Sequence, residues 1–244
     1  MRFVTRQDCK ARFEGKTVAI VGGGPGAALN DPGIIDRHDV VVRVNNYKLT
    51  GPRTGKRTDV FYSFFGSSIR KRAEDLIADG VTLCMNKCPD AHPIQSEWHE
   101  LNCKMIGVDF RPHFRRRASW WFCDTYIPTV DEFMVGFNLL RRRMPTTGFS
   151  AILDIVSFNP RSIYLTGFDF YSSKIHNLNE RWRPANAADP IGHHPRREQE
   201  WLVQNMGRYP INIDRQMKKQ FRPTLGKLRR ERALADGNAL DSRI

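Results

Sequence analysis

The first clear hydrophobic pattern in the chain is Thr17 to Val21 (TVAIV), a continuous β-branched run that stops at three glycines. A short apolar run ended by a turn signal predicts a strand buried on both faces. Asp39 to Val44, Asp59 to Phe65, Val81 to Met85, Lys104 to Val108 and Ser162 to Thr166 repeat the pattern. Between them the period changes. Arg70 to Ala78, Val130 to Arg143, Ser150 to Phe158 and Arg196 to Met206 space their apolar residues as helices do. Strands alternating with helices predict an α/β fold, with a mostly parallel central sheet flanked by helices, Rossmann-like. From Tyr171 to His194 no period is visible, and Ser, Asn, Pro, Gly and His dominate. Long irregular stretches inside a compact domain commonly carry function. Residues 1–214 are expected to form a single domain, and 215–244 a basic tail or surface helix.

Composition narrows the partners. The chain has 244 residues, enough for one α/β domain with a substantial core. Its net charge of +13 favours anionic partners: a nucleotide, a nucleic acid, or an acidic lipid or glycan surface. Basic clusters sit at Arg115 to Arg117, Arg141 to Arg143 and Lys218 to Arg232. No apolar run approaches the roughly 18–20 residues of a membrane span, and the first residues lack the apolar stretch of a signal peptide. A cytoplasmic protein is expected. Five cysteines cannot all pair and read as free thiols; Cys84 and Cys88 are four apart but lack a second close pair or finger-spaced histidines, so no zinc site is expected.

Two small-residue turns carry the chemistry. Gly22-Gly23-Gly24-Pro25 follows the first strand, and Gly22, Gly24 and Ala27 fit the dinucleotide spacing G-x-G-x-x-A. A flavin or NAD oxidoreductase is therefore one reading. Against it, Asn30-Asp31-Pro32-Gly33 interrupts the helix that must come next, and the following strand ends in Arg43-Val44-Asn45-Asn46 with no acid for a ribose hydroxyl. A shorter turn meeting a single phosphate or a ribose is the alternative, with the amides of Asn45 and Asn46 at the ligand-binding edge of the sheet. The second turn, Pro145-Thr146-Thr147-Gly148, opens a helix; Thr146 or Thr147 can cap it, and the helix end favours an anion.

His193, His194, Pro195 and Glu198 form the most reactive-looking cluster. Pro195 suits the first helical position, which makes His194 the N-cap and puts His193 at the helix mouth. There the dipole disfavours imidazolium, and a neutral imidazole can accept a proton. Glu198 is placed to orient the ring or cap the backbone, and His176 in the irregular stretch is a second candidate donor. The chain has no Asp-x-Asp pair, which favours a donor with one phosphate held by fixed dipoles and cations rather than by a metal.

In this order the motifs resemble those of the sialyltransferases of glycosyltransferase family 29. VAIVGGGPG with IIDRHDVVVRVNNYKLTGPRTGKRTD resembles their long sialylmotif, through Ile35, Asp36, Asp39, Val41, Arg43, Asn45, Gly55, Arg57 and Thr58. PTTGFSAILDIVSFNPRSIYLTGFDF resembles the short sialylmotif, and His193 and Glu198 have the spacing of the very short one. The matched region runs from about Lys16 to Glu198. The resemblance implies a variant GT-A-like fold that needs no metal and no cofactor beyond its co-substrate, a CMP-activated sugar acid transferred with inversion. It implies nucleotide contacts from Gly22 to Pro25, Arg43, Asn45, Asn46 and Ser63. Phosphate or ribose contacts would come from Thr146, Thr147, Gly148 and Phe149, and further contacts from Gly167, Phe168, Asp169 and His194. His193 would be the general base; His176 is the nearest candidate for the family's His/Tyr-rich third motif.

Two departures bear on the source of the donor contacts. The family's usual Gly-Asn turn is Gly22-Gly23-Gly24-Pro25 here, and Thr17 and Asn159 stand roughly where animal members carry linking cysteines. A bacterial-type enzyme is expected, with CMP-sialic acid or CMP-Kdo as donor. Its acceptor would be a lipid-linked glycan such as lipopolysaccharide core, met at the inner face of an anionic membrane. A non-enzyme reading rests on Trp120, Trp121 and Phe122 after Arg115 to Arg117, a pattern that suits RNA binding by stacking and charge.

Overall fold

The computed structural model describes residues 2–64, 69–89, 122–172, 175–176, 180–181 and 193–226. The strands are β1 (Phe3–Val4), β2 (Thr17–Val21), β3 (Val40–Val44), β4 (Val60–Ser63), β5 (Leu83–Asn86), β6 (Asp124–Tyr126), β7 (Ser162–Thr166) and β10 (Ile211–Ile213). They form one sheet in the order β1-β6-β5-β4-β3-β2-β7-β10, and every pairing is parallel. The short strands β8 (Ile175–His176) and β9 (Glu180–Arg181) pair antiparallel outside it.

The chain walks outward from β2 to β6 on one side, then returns to place β7 and β10 on the other. The switch point lies between β2 and β7, where Val21 stands opposite Arg43 on one flank and Thr166 on the other. In open α/β sheets ligands bind at the carboxyl ends of strands at such a point. Both sheet faces are covered, which explains the unbroken apolar runs. Val18, Ile20, Val42 and Val44 pack with Ile152, Ile155 and Phe158 on one face, and Ala19, Val21 and Val41 pack with Ile35 on the other.

The helices are α1 (Arg6–Phe13), α2 (Ala73–Ala78), α3 (Val130–Leu139), α4 (Thr147–Ser157), α5 (Pro195–Asn205) and α6 (215–226). Thr5 and Thr129 open α1 and α3 with full capping boxes, reaching Asp8 and Glu132. The expected α/β architecture is present, with differences. β1, β6, β10 and α1 escape sequence reading because two or three residues carry no measurable period and α1 is strongly polar. The expected strand at Lys104 to Val108 lies outside the described residues, as do Trp120 and Trp121. The basic tail begins as part of the core: Met217 and Phe221, one helical turn apart on α6, are fully buried. Of the cysteines, Cys9, Cys84 and Cys88 are buried and Cys123 partly so, all as free thiols.

Candidate functional site

The glycines at the switch point form a seam between two backbones. Gly22 N–H donates to the Thr166 carbonyl and Gly24 N–H to the Gly167 carbonyl, each at 2.8 Å. A Cβ on Gly22 would lie 2.5 Å from the Gly167 carbonyl oxygen, and one on Gly24 2.8 Å from it. Gly167 itself has φ +72°, a conformation that favours glycine. After Gly24 the chain forms only a five-residue 3-10 helix, Pro25–Leu29, ended at Asn30. No long helix follows the turn, so the dinucleotide spacing of Gly22, Gly24 and Ala27 lacks the element that would hold a pyrophosphate.

A cavity of about 280 Å³ opens over this seam. It is lined by residues from the carboxyl ends of five strands: Gly22 and Gly23 after β2, Val44 and Asn45 at β3, Phe64 after β4, Lys87 after β5, and Gly167 to Tyr171 after β7. The N-terminus of α4 enters it through Thr146, Thr147 and Gly148. Met144, His193 and Glu198 close the wall.

Thr146 is the N-cap of α4, its hydroxyl accepting from Phe149 N–H at 3.1 Å. Glu198 holds that cap from outside: its carboxylate accepts from Thr146 N–H at 2.6 Å and from the Thr146 hydroxyl at 2.7 Å. Only 1% of Glu198 is exposed. Burial pushes its carboxyl up to about 7, against the opposing effects of the Thr146 hydrogen bonds and the Lys87 charge. Glu198 therefore neither orients the His193 ring nor caps its own helix, as the spacing alone suggested; it anchors the start of α4, 52 residues earlier. His194 is the N-cap of α5, ahead of Pro195.

His193 Nδ1 lies 2.8 Å from the Met144 carbonyl. A carbonyl accepts only, so Nδ1 carries the proton of that contact and Nε2 holds the lone pair in the neutral ring. Tyr171 stacks on the same ring, centroids 6.3 Å apart. Thr147 and Gly148 occupy the first turn of α4, where backbone N–H groups lack intrahelical partners. A Cβ on Gly148 would meet the Phe168 ring at 2.6 Å, which explains the glycine there. The wall thus combines a helix N-terminus, a lysine and the His193 imidazole.

Several other expected residues sit elsewhere. Gly24 spends its N–H on Gly167, and Pro25 lines a separate neighbouring cavity. Arg43 is fully buried, its Nε donating to the Arg57 carbonyl and both Nη atoms without a hydrogen-bond partner among the described residues. Burial lowers its guanidinium to about 10. Asn46 is turned to Arg70, whose N–H its side chain accepts. Ser63 supports the site from below, donating to the Asn45 side chain at 3.2 Å. Phe149 is core, packed edge-on against Trp201. His176 has its backbone in β8, and its side chain lies outside the described residues.

Sequence reading missed Lys87, Met144 and Tyr171. Lys87 follows the end of a strand with no motif around it, and Met144 directly precedes the Pro145-Thr146-Thr147-Gly148 turn but enters through its backbone carbonyl, which no residue type signals. Tyr171 directly follows the GFDF segment, and that adjacency was the available signal. Among the described residues no group of three or more His, Cys, Asp or Glu side chains is arranged to hold a metal ion.

No protein-family model matches the chain, and no curated protein does. Solved structures do. A mammalian sialyltransferase in complex with Gal-β-1-3GalNAc-ortho-nitrophenol matches with TM-score 0.52 at 16% identity, over 84% of this chain and 71% of that one. The sialyltransferase CST-II, from Campylobacter jejuni, matches in one complex with CMP with TM-score 0.51 at 15% identity, over 81% of this chain and 80% of that one. At these identities the likeness is one of fold: the chain has the α/β fold of sialyltransferases of known structure.

Proposed function

We propose that this chain is an inverting glycosyltransferase that moves a 2-keto sugar acid, sialic acid or Kdo, from its CMP ester to a glycan hydroxyl, without a metal ion. One observation carries the reading. The glycine seam, the N-terminus of α4 and His193, distant in sequence, line one cavity at the switch point of the sheet. The fold adds support, because it is shared with one sialyltransferase bound to CMP and with another bound to Gal-β-1-3GalNAc-ortho-nitrophenol. The ordered motifs from Lys16 to Glu198 point the same way.

The chemistry follows from the wall of the cavity. As the bond from the anomeric carbon to the phosphate oxygen breaks, negative charge grows on the CMP phosphate. The Thr147 and Gly148 N–H groups and the Lys87 ammonium meet that charge, the service a divalent metal gives in other transferases. His193 Nε2 takes the proton of the acceptor hydroxyl, whose oxygen attacks the anomeric carbon from the face opposite the phosphate. The Met144 carbonyl fixes the tautomer that makes this possible. Glu198 acts through Thr146 and holds the phosphate-binding end of α4 in place.

No helix among the described residues is long and apolar enough to cross a membrane. A lipid-linked glycan acceptor, such as lipopolysaccharide core, would be reached by peripheral contact of the basic surface with anionic lipid at the cytoplasmic face. A thermal-shift panel of CMP, UDP, GDP, NAD and FAD tests the nucleotide: CMP should stabilise preferentially, by about 2.7 kcal/mol at a hundredfold excess over its Kd. His193→Ala should keep that shift and lose turnover by roughly 10²–10⁴-fold. Preferential stabilisation by NAD or FAD, or unchanged turnover in the variant, refutes the reading.

A further inference from the structure

A second cavity, of about 330 Å³, adjoins the nucleotide pocket. The two share one turn of chain: Met144, Thr146 and Thr147 line the first and Pro145 the second, while Lys87 lines both. The transfer chemistry uses none of the groups particular to the second cavity, yet they are placed in a definite way. On one side Tyr62 donates its hydroxyl to Asp154 at 2.6 Å. That is the one side-chain hydrogen bond of the Asp154 carboxylate among the described residues, and the nearby Ser150 hydroxyl has none. Phe133, Pro145 and Leu153 supply apolar wall between the charged residues of the lining.

Charge and shape together select a ligand class. Asp131, Glu132 and Asp154 outnumber Arg6 and Lys87 in the lining, and Arg6 is already paired with Glu132 at 3.2 Å. On a protein with net charge +13, this cavity is a local exception, and it disfavours a second anion. Carboxylate and hydroxyl acceptors facing proline and aromatic walls suit a ligand with hydroxyl donors on its edge and a C–H face. That is a neutral pyranose. The volume lies within the range of small-molecule sites.

We propose that this cavity is a saccharide subsite for a neutral hexose ring, and that the hexose is a unit of the glycan acceptor, seated beside the donor across Pro145 and Lys87. The second part rests on the transferase reading above; the first does not.

The test uses the full chain saturated with CMP. Saturation-transfer NMR is run with galactose, glucose and N-acetylglucosamine as probes. Val135→Trp, at an exposed position on the cavity rim, blocks the entrance, and Asp154→Asn removes the carboxylate. At least one hexose should bind with CMP present, and each variant should weaken it about tenfold, the loss expected for a charge-assisted hydrogen bond or a blocked site. The CMP thermal shift should be unchanged in both variants, which also shows that they are folded. In a transfer assay Val135→Trp should raise KM for the acceptor and leave KM for the donor unchanged. The subsite is overturned if no hexose binds, if CMP displaces the hexose, or if Val135→Trp binds it as well as the parent. Variant-sensitive binding with an unchanged acceptor KM overturns the acceptor assignment. CMP binding without hexose binding sinks this inference alone; hexose binding without CMP binding sinks the transferase reading and leaves the saccharide pocket standing.

Discussion

Glu198→Gln isolates the cost of burying a carboxylate at the heart of the site. The carboxyl of Glu198 rises from its ordinary 4.5 to about 7, with burial the dominant cause. An acid whose folded value is raised contributes its stability when protonated. That contribution is complete below pH 4.5, falls as pH rises through about 7, and is gone above it. At about 1.4 kcal/mol per pH unit, the loss amounts to roughly 3 kcal/mol. Gln keeps the shape, accepts from Thr146 N–H and cannot ionise. Parent and variant should therefore melt together near pH 4.5, and above pH 7 the variant should be more stable by roughly 3 kcal/mol. In a chain of this size that is about 6–12 °C in Tm. Thermal melts of both proteins at half-unit steps between pH 4.5 and 8.5 measure the difference directly, because other titrating groups, such as Asp154, cancel between them. A difference that does not change with pH would falsify the assignment. A variant less stable than the parent at pH 8 would show that Thr146 and Lys87 stabilise an ionised Glu198 by more than burial costs.

Three further outcomes are expected from the geometry. Gly22→Ala forces a methyl against the Gly167 carbonyl at 2.5 Å, and overpacking should cost roughly 1–3 kcal/mol or more in chemical denaturation, with weakened CMP binding. Lys87→Met removes a buried cation from the pocket wall and should weaken CMP binding about ten- to hundredfold by calorimetry, the range for a hydrogen bond to a charged group. Phe221→Ala, in the segment that reads as a basic tail, should destabilise the fold by about 3–5 kcal/mol, whereas a true tail residue would change nothing.

The sequence by itself determined five of the sheet's eight strands, β2, β3, β4, β5 and β7. TVAIV and VVVRV are legible as strands because a parallel sheet covered on both faces needs side chains that are apolar without alternation, and that requirement is local. His194 is legible as a cap, and Thr146 as one of two candidates beside Thr147, because an N-cap satisfies backbone groups of its own turn. The contacts that make the site were decided only in three dimensions. Glu198 sits in the first turn of α5, where short-range rules assign it to its own helix, but its carboxylate is used by Thr146, which no spacing reveals. Arg43 belongs to the strongest motif and lies in the next strand, yet strand alternation turns it away from the pocket, while Lys87, in no motif, enters it from the end of β5. Met217 and Phe221 are two apolar residues among lysines and arginines, and only their packing in the cluster that holds Ile211 and Ile213 of β10 makes them core. Periodicity and caps depend on neighbours a few residues away; which side chain meets which across a sheet edge depends on the strand order, and that order is a property of the whole chain.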